Sequence, residues 1–295
     1  MGSEMCIRDR SVSGRTTSGI SVVSLSANQT INGTLTLSAG TNATMRTMVQ
    51  SDTIGTTRTL TCAAVSATDA DFRDITIAGA AAPVSGTRLG DCKGNSGITF
   101  GAGVNKYWVI VSGTNWNSAL APWDTSSGGT GSINAFPLAQ DTVIFQSSVP
   151  SSGSTVTINA NYNIGTIDMS ARTSNTMTLA TGSTTPTIYG NWINGTGTTL
   201  TGSGIVTLAG RGSQTITSAG KTFTQPFTVN SPNGSVTLQD AYAMSLTTSA
   251  LTVTAGTFDA NGYSVTLSGT SSAVSSSNSN TRTLAIGSGT WTIAG

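Results

Sequence analysis

The chain consists largely of short runs in which apolar residues alternate with threonine or serine, and this alternation most restricts its fold. Examples lie at residues 34–37, 155–158 and 264–267. Successive side chains of a β-strand point to opposite faces, so a period of two indicates half-buried strands. Asn-Gly pairs, which favour turns with positive φ, separate many of the runs. Because no stretch combines a helical period with caps, the sequence predicts an all-β chain.

Two architectures fit many short strands at these intervals: a string of β-sandwich domains, or a parallel β-helix. Sandwich domains usually have longer strands and a distinctive core anchor. Here the strands are interchangeable in content, and Val-Thr-Leu recurs at 206–208, 236–238 and 265–267. A spacing of this length suits solenoid coils. We therefore predict a parallel β-helix, or β-solenoid, in two consecutive modules.

The pattern changes once along the chain, near residue 103. Trp108, Trp116 and Trp123 fall within sixteen residues there, and prolines punctuate the same region. We predict rung-like strands at 11–103 and a longer β-helical module at 104–295.

The first ten residues differ in composition from the rest. Residues 4–10 resemble one reading frame of the transposon end used to prepare sequencing libraries. We therefore expect residues 1–10 to be a translated adapter and the true N-terminus to be missing. Residues 291–295 stop within a strand-like pattern, so we expect the C-terminus to be truncated as well.

Composition argues against several functions. Only 8% of residues are charged and the formal net charge is +1, so no basic patch is expected to bind nucleic acid. The chain has no histidine, which removes Ser–His nucleophiles and the usual zinc sites. No apolar run approaches the ~18 residues of a membrane helix, so we expect no membrane insertion. We predict no catalytic residue, no metal ligand and no cofactor.

Cys62 and Cys92 are the cysteines outside the first ten residues. The sequence leaves two interpretations open, a disulfide or two small buried side chains.

Part of the chain resembles a module that is repeated in structural proteins of tailed phages. The resemblance lies in residues 106–116, which read Lys-Tyr-Trp-Val-Ile-Val-Ser-Gly-Thr-Asn-Trp, then in Trp123, in Ser-Gly-Gly at 127–129 and in 141–145. Residues 86–100 are similar to the rung that precedes this module, and the likeness covers most of the chain after residue 55. Ile110 and Val111 depart from it, because two glycines are usual there. Weaker similarity exists to autotransporter-associated strand repeats.

The resemblance implies an extended β-helix on a virion or a cell surface. We expect a virion protein, a tail-fibre or tail-associated segment that serves host attachment as a rigid spacer. The expected partners are further copies of the chain, for example in a trimer, and a glycan or receptor on the host surface. The alternatives are a bacterial adhesin or autotransporter passenger and, more remotely, a glycan-degrading β-helix enzyme.

The densest acidic group contains Asp69, Asp71 and Asp74, with Arg73 among them. Clustered carboxylates on a β-helix can bind metal or perform acid–base chemistry on glycans. On a strand, Asp69 and Asp71 would share a face, whereas Asp74 would not without a bulge. The other interpretation is that these carboxylates solvate a corner and that Arg73 pairs with one of them.

The three tryptophans also have two interpretations. Trp108, Trp116 and Trp123 could form an aromatic platform for a sugar ring, or they could pack a module junction. Together with Asp69 and Asp71 they complete the set of candidate binding residues.

Many Thr-x-Thr triplets raise a further possibility, a flat array that orders ice-like water. Such an array needs a nearly constant rung length, and the intervals between triplets vary widely along the chain. We therefore expect solvated strand faces without a registered array.

Overall fold

The alternating runs form parallel strands that stack into a β-solenoid of about 11 turns, which confirms the predicted fold class. The computed structural model describes residues 9–12, 14–38, 40–246, 250–268, 273–276 and 279–294. Strands make up 48% of these residues, which include no α-helix. The chain divides into two compact units, Met1–Ala102 and Gly103–Gly295, one residue before the division that we predict from the sequence. Most of the expected adapter, residues 1–8, lies outside the described residues.

The described residues of unit 1 form two four-stranded parallel sheets, one made of the odd-numbered and one of the even-numbered strands. The strands are β1 (Arg10–Val12), β2 (Gly19–Leu25), β3 (Gln29–Leu37), β4 (Met45–Ser51), β5 (Arg58–Ala67), β6 (Ala70–Arg73), β7 (Ile75–Ala78) and β8 (Gly90–Asp91). A short 3-10 helix covers Gly79–Ala81. The inward residues of both sheets form one core, in which Phe72 and Ile75 are completely buried.

The described residues of unit 2 form the other twenty strands and a second 3-10 helix, Ile133–Ala135. The strands are β9 (Asn105–Trp108), β10 (Trp123–Asp124), β11 (Thr142–Ile144), β12 (Ser154–Thr157), β13 (Asn163–Ile164), β14 (Thr166–Asp168), β15 (Met177–Ala180), β16 (Thr187–Ile188), β17 (Trp192–Ile193), β18 (Thr198–Thr201), β19 (Val206–Leu208), β20 (Ser213–Thr217), β21 (Thr222–Phe223), β22 (Phe227–Leu238), β23 (Tyr242–Ser245), β24 (Leu251–Asp259), β25 (Val265–Ser268), β26 (Val274–Ser275), β27 (Arg282–Ala285) and β28 (Trp291–Ala294).

From β11 onward, the strands of unit 2 stack in three columns. Column A comprises two sheets, β12-β15-β18 and β21-β23-β25-β28. Column B runs from β13 through β16 and β19 into the first half of β22 and of β24, then β26. Column C runs from β11 through β14, β17 and β20 into the second halves of the same two long strands, then β27. Each turn therefore contributes one strand segment to each column.

The turns are shorter than the Val-Thr-Leu spacing suggests. Among the turns from β11 onward, a short one separates the direct partners Thr187 and Thr207, and a long one separates Phe258 and Leu284. Even the long turn is shorter than the interval between successive Val-Thr-Leu segments. These three segments belong to columns B, C and A respectively, so they do not stack on one another. The spacing of these segments was therefore wrong as a prediction of turn length, because it separates residues on different columns and not direct partners.

Among the described residues, none forms a helix with the length and apolarity that crossing a bilayer requires.

Candidate functional site

Three of the five candidate residues predicted from the sequence lie in unit 2 and two in unit 1. In unit 1, the centre is the guanidinium of Arg46 on β4, which is 2% exposed. Its Nε and Nη2 donate to Asp71 Oδ1 over 2.9 and 2.6 Å, and its Nη1 lies 3.4 Å from Asp69 Oδ1. Arg46 therefore joins the two predicted carboxylates, although Asp69 lies at the corner before β6 and Asp71 on that strand, so they do not share a strand face as predicted.

A second arginine, Arg88, is half-buried and completes this ion network. Arg88 Nε and Nη2 donate to the two carboxylate oxygens of Asp69, both over 2.6 Å. The carbonyl oxygen of Arg88 also accepts a hydrogen bond of 2.9 Å from Arg46 Nη2. Such a two-pronged arginine–carboxylate pair fixes direction as well as distance. Arg46, Asp69 and Arg88 come from successive rungs, so positive and negative charges alternate along the stack.

The local backbone explains how these side chains reach one another. Asp69 and Arg88 occupy corresponding corners of successive rungs, and both have left-handed backbone conformations, with φ of 51° and 53°. Asp74 and Lys93 form a second such pair, with φ of 55° and 71°, and the Asp74 amide donates to the Lys93 carbonyl. Aspartate tolerates this region better than most residues. Each corner turns the chain while the strands on either side keep their register.

The solvated-corner interpretation is wrong for this acidic group. Asp69 and Asp71 are each 1% exposed and Asp74 is 2% exposed. The ion pairs of Asp69 and Asp71 are with Arg46 and Arg88 rather than with the neighbouring Arg73. A general acid or base must lie within hydrogen-bond reach of its substrate. Two carboxylates enclosed in this way brace the rungs, and the geometry does not support their assignment as glycan-binding residues.

The electrostatics of Arg46 are consistent with a brace. Burial alone lowers the pKa of its guanidinium, but the charge and hydrogen bonds of Asp71, with the charge of Asp69, outweigh burial and raise that pKa overall. Arg46 therefore keeps its charge in the core. A buried ion pair is tolerable only when such hydrogen bonds replace the lost water.

In unit 2, the structure brings all three predicted tryptophans together in the interior. Trp108 and Trp116 are 0% exposed and Trp123 is 1% exposed. The Trp123 ring centroid lies 5.1 Å from that of Trp108, 4.6 Å from that of Trp116 and 5.9 Å from that of Phe145. Trp123 Nε1 donates to the Trp116 carbonyl over 2.9 Å, and Trp108 Nε1 to the Ile110 carbonyl over 2.8 Å.

The platform interpretation of these tryptophans is wrong, because a sugar-stacking ring must present a face to solvent. Instead, the rings fill the core beside β9, β10 and β11, where Trp123 and Trp108 also pair across antiparallel strands. The three rings therefore pack within the core of unit 2, and the module junction that the sequence predicts for them stays a prediction. The sequence could locate the cluster from its spacing but not decide which way the rings point.

Sequence reasoning missed two buried polar side chains that tie loops of unit 2 to one another. Arg172 is fully buried and donates to the carbonyls of Gln146, Pro150 and Thr176 over 2.8 to 2.9 Å. Burial lowers the pKa of this guanidinium. Gln214 accepts from the Gly210 amide and donates to the Gly190 carbonyl. Neither residue belongs to a motif, so the sequence contains no signal for them.

Both cysteines in the described residues, Cys62 and Cys92, are free and buried, so the disulfide interpretation is wrong. Desolvation raises the pKa of the Cys62 thiol. No group of three or more cysteine, aspartate or glutamate side chains suited to a metal ion occurs among the described residues.

The fold thus defines a protein of the parallel β-solenoid class with internal ionic and aromatic braces. No family model matches the chain, and neither any curated protein nor any solved structure does.

Proposed function

We propose that this chain is a structural virion protein of a tailed phage, a tail-fibre or tail-associated β-helical segment that serves host attachment. The observation that carries the proposal is the unbroken stacking of parallel rungs. In unit 2, columns B and C pass continuously from β13 to β26 and from β11 to β27. In stacked repeats each turn is held by its neighbours, which produces a rod-like element from short repeated segments.

The distribution of polar groups supports a structural function. Five aromatic side chains of unit 2 are buried and form a chain of ring contacts with centroids 5.0 to 6.4 Å apart: Trp192, Phe223, Phe227, Tyr242 and Phe258. The charged groups of the acidic segment in unit 1 serve internal bracing. The sequence resemblance to repeated phage modules supplies the biological setting, on a virion. We further propose that the chain assembles as a homo-oligomer, with a trimer as the arrangement to test, and contacts a host-surface glycan or receptor.

The experiment is recovery of the complete gene and its neighbours by long-read sequencing of the source DNA. Tail, baseplate or capsid genes beside it would support the virion proposal. A downstream membrane-barrel domain or secretion genes would overturn it in favour of a bacterial adhesin or autotransporter passenger. Sedimentation of the purified chain tests the trimer separately.

A further inference from the structure

Column A of unit 2 presents a regular grid of hydroxyl and methyl groups. We define the threonine grid as the two outward positions that flank one inward residue at each of the seven strands. Its members are Thr155 and Thr157, Thr178 and Ala180, Thr199 and Thr201, Thr222 and Thr224, Ala243 and Ser245, Thr266 and Ser268, and Thr292 and Ala294. Nine of the fourteen are threonine, and none carries a charge or a ring.

The grid is in register. Thr155, Thr178 and Thr199 are direct partners on β12, β15 and β18. Thr222, Ala243, Thr266 and Thr292 are partners on β21, β23, β25 and β28. Two hydrogen bonds link the two sheets, because Thr224 Oγ1 donates to the Leu200 carbonyl over 2.9 Å and Gln225 Nε2 to the Thr201 carbonyl over 2.7 Å. The register therefore continues from β18 to β21, although the sequence predicts no registered array.

The earlier expectation failed because it compared triplets from different faces. Within column A, a short turn separates the direct partners Thr178 and Thr199, and a longer one separates Thr266 and Thr292. The corners absorb this difference in length. The residue between the two outward positions is buried on six of the seven strands, from Val156 to Leu267, so the grid is anchored to the core.

Most hydroxyl groups of the grid belong to exposed or half-buried residues and have no hydrogen-bond partner among the described residues of the protein. Thr224 and Ser268 each donate to a backbone carbonyl of the preceding rung. Within the described part of the chain, no other grid hydroxyl has a protein partner. A hydroxyl offers one donor and two acceptor sites, and a β-branched threonine holds it in few rotamers. These groups are therefore available to water in fixed positions.

We infer that the threonine grid binds ice. Neighbouring strands lie about 4.8 Å apart and alternate residues of one strand about 6.6 Å apart, so hydroxyls and methyls repeat in two directions. Hexagonal ice presents oxygen atoms at similar repeats. Methyl groups restrict the orientation of adjacent water while hydroxyls bond to it, and the missing charges avoid strong competing hydration.

The composition of the grid argues against a glycan as its ligand. Sugar rings are commonly held by exposed aromatic rings, and the grid has none. Among the residues of unit 2 that the structure describes, the other outward faces lack this arrangement. Column B has a single row of outward residues, in which Thr207 pairs with Thr228. Column C includes the charged residues Asp168 and Asp259. The inference does not rest on the proposed virion function.

The test uses the purified full chain and two double variants. The grid variant T199Y/T222Y places bulky rings on the β18 and β21 rungs. The control T207Y/T228Y makes the same changes on column B of the same two turns. Thermal hysteresis and the faceting of single ice crystals are measured, with circular dichroism melts to establish that each variant is folded.

We expect concentration-dependent hysteresis from the unaltered chain, its loss in T199Y/T222Y and its retention in T207Y/T228Y. A folded unaltered chain without hysteresis or faceting would overturn the inference. Equal losses in two folded variants would also overturn it. If sedimentation shows an oligomer that T199Y/T222Y dissociates, and no hysteresis accompanies it, the grid is a contact between copies and ice binding is rejected.

Discussion

Gly90 lies so close to Asp71 that a β-carbon on the glycine would fall 2.1 Å from Asp71 Oδ1. The same relationship recurs between Gly94 and Asp74, also at 2.1 Å. In both cases a glycine leaves room for a carboxylate of the preceding rung. Rung stacking in unit 1 therefore depends on the absence of a side chain where a charge is buried.

Gly90→Ala should destabilise unit 1. The new methyl group must displace the carboxylate that Arg46 holds, and overpacking of this kind costs about 1–3 kcal/mol. Chemical denaturation followed by circular dichroism measures the change. Gly128→Ala is the matched control, because nothing lies within 4 Å of the place that its new β-carbon would take. Equal midpoints for the two variants would contradict the close packing of Gly90 against Asp71.

Arg46→Met should be among the most damaging substitutions in unit 1. It removes the hydrogen bonds to Asp71 while both carboxylates stay buried, and breaking a buried pair costs about 3–5 kcal/mol. Arg58→Ala removes a more exposed pair, in which Arg58 Nη2 lies 3.0 Å from Asp52 Oδ1, and solvent-screened pairs of this kind contribute little to stability. Urea unfolding of both variants gives the comparison. A smaller loss for Arg46→Met than for Arg58→Ala would exclude the brace.

Val206→Asp should disrupt the neighbouring rungs of unit 2. Val206 is fully buried and pairs with Phe227, so the substitution buries a charge without a counter-ion, at a cost of several kcal/mol. Thr207→Ser on the outward side of the same strand should change stability little. Thermal melts of the two variants test the assigned alternation, which equal tolerance would refute.

Trp123→Ala should cost about 3–5 kcal/mol, the usual range for removing a buried aromatic side chain. The ring contacts three other aromatic rings, whereas Trp291 is half-buried and contacts the Phe258 ring at a centroid distance of 6.3 Å. Trp291→Ala is therefore the milder control. Denaturation curves of both variants give the loss in free energy of unfolding. A larger loss for Trp291→Ala than for Trp123→Ala would count against the aromatic core.

Cys62 should make stability fall at alkaline pH. Its pKa is raised in the folded state, so the thiol stays neutral there while the unfolded thiol ionises above its pKa of about 8.5. Stability is fully present below that pH and declines as pH rises through the folded pKa. The measurement is urea unfolding between neutral and alkaline pH in a Cys6→Ser background. Cys62→Ala should flatten the alkaline decline, and an unchanged slope would be evidence against the burial effect.

The sequence predicts the strands well because alternation acts locally. It assigns Val206 inward and Thr207 outward, and the structure agrees. Stacking partners are less predictable, because loop length varies from turn to turn and the same tripeptide occurs on three columns. The ion network around Arg46 was not predicted, for a related reason. Arg46 and Asp71 are far apart in the chain, and nothing in either segment marks the pairing. Burial of the tryptophans likewise depends on neighbouring rungs.

The variable turn lengths have a consequence for how such a chain changes over time. Partners remain aligned across the short turn from Thr187 to Thr207 and across the long one from Phe258 to Leu284, since the corners accept the difference. An in-frame insertion or deletion at a corner therefore alters the outline of one turn and leaves the core alignment intact. Changes in turn length, more than substitutions, therefore allow this surface to diversify without disturbing the core.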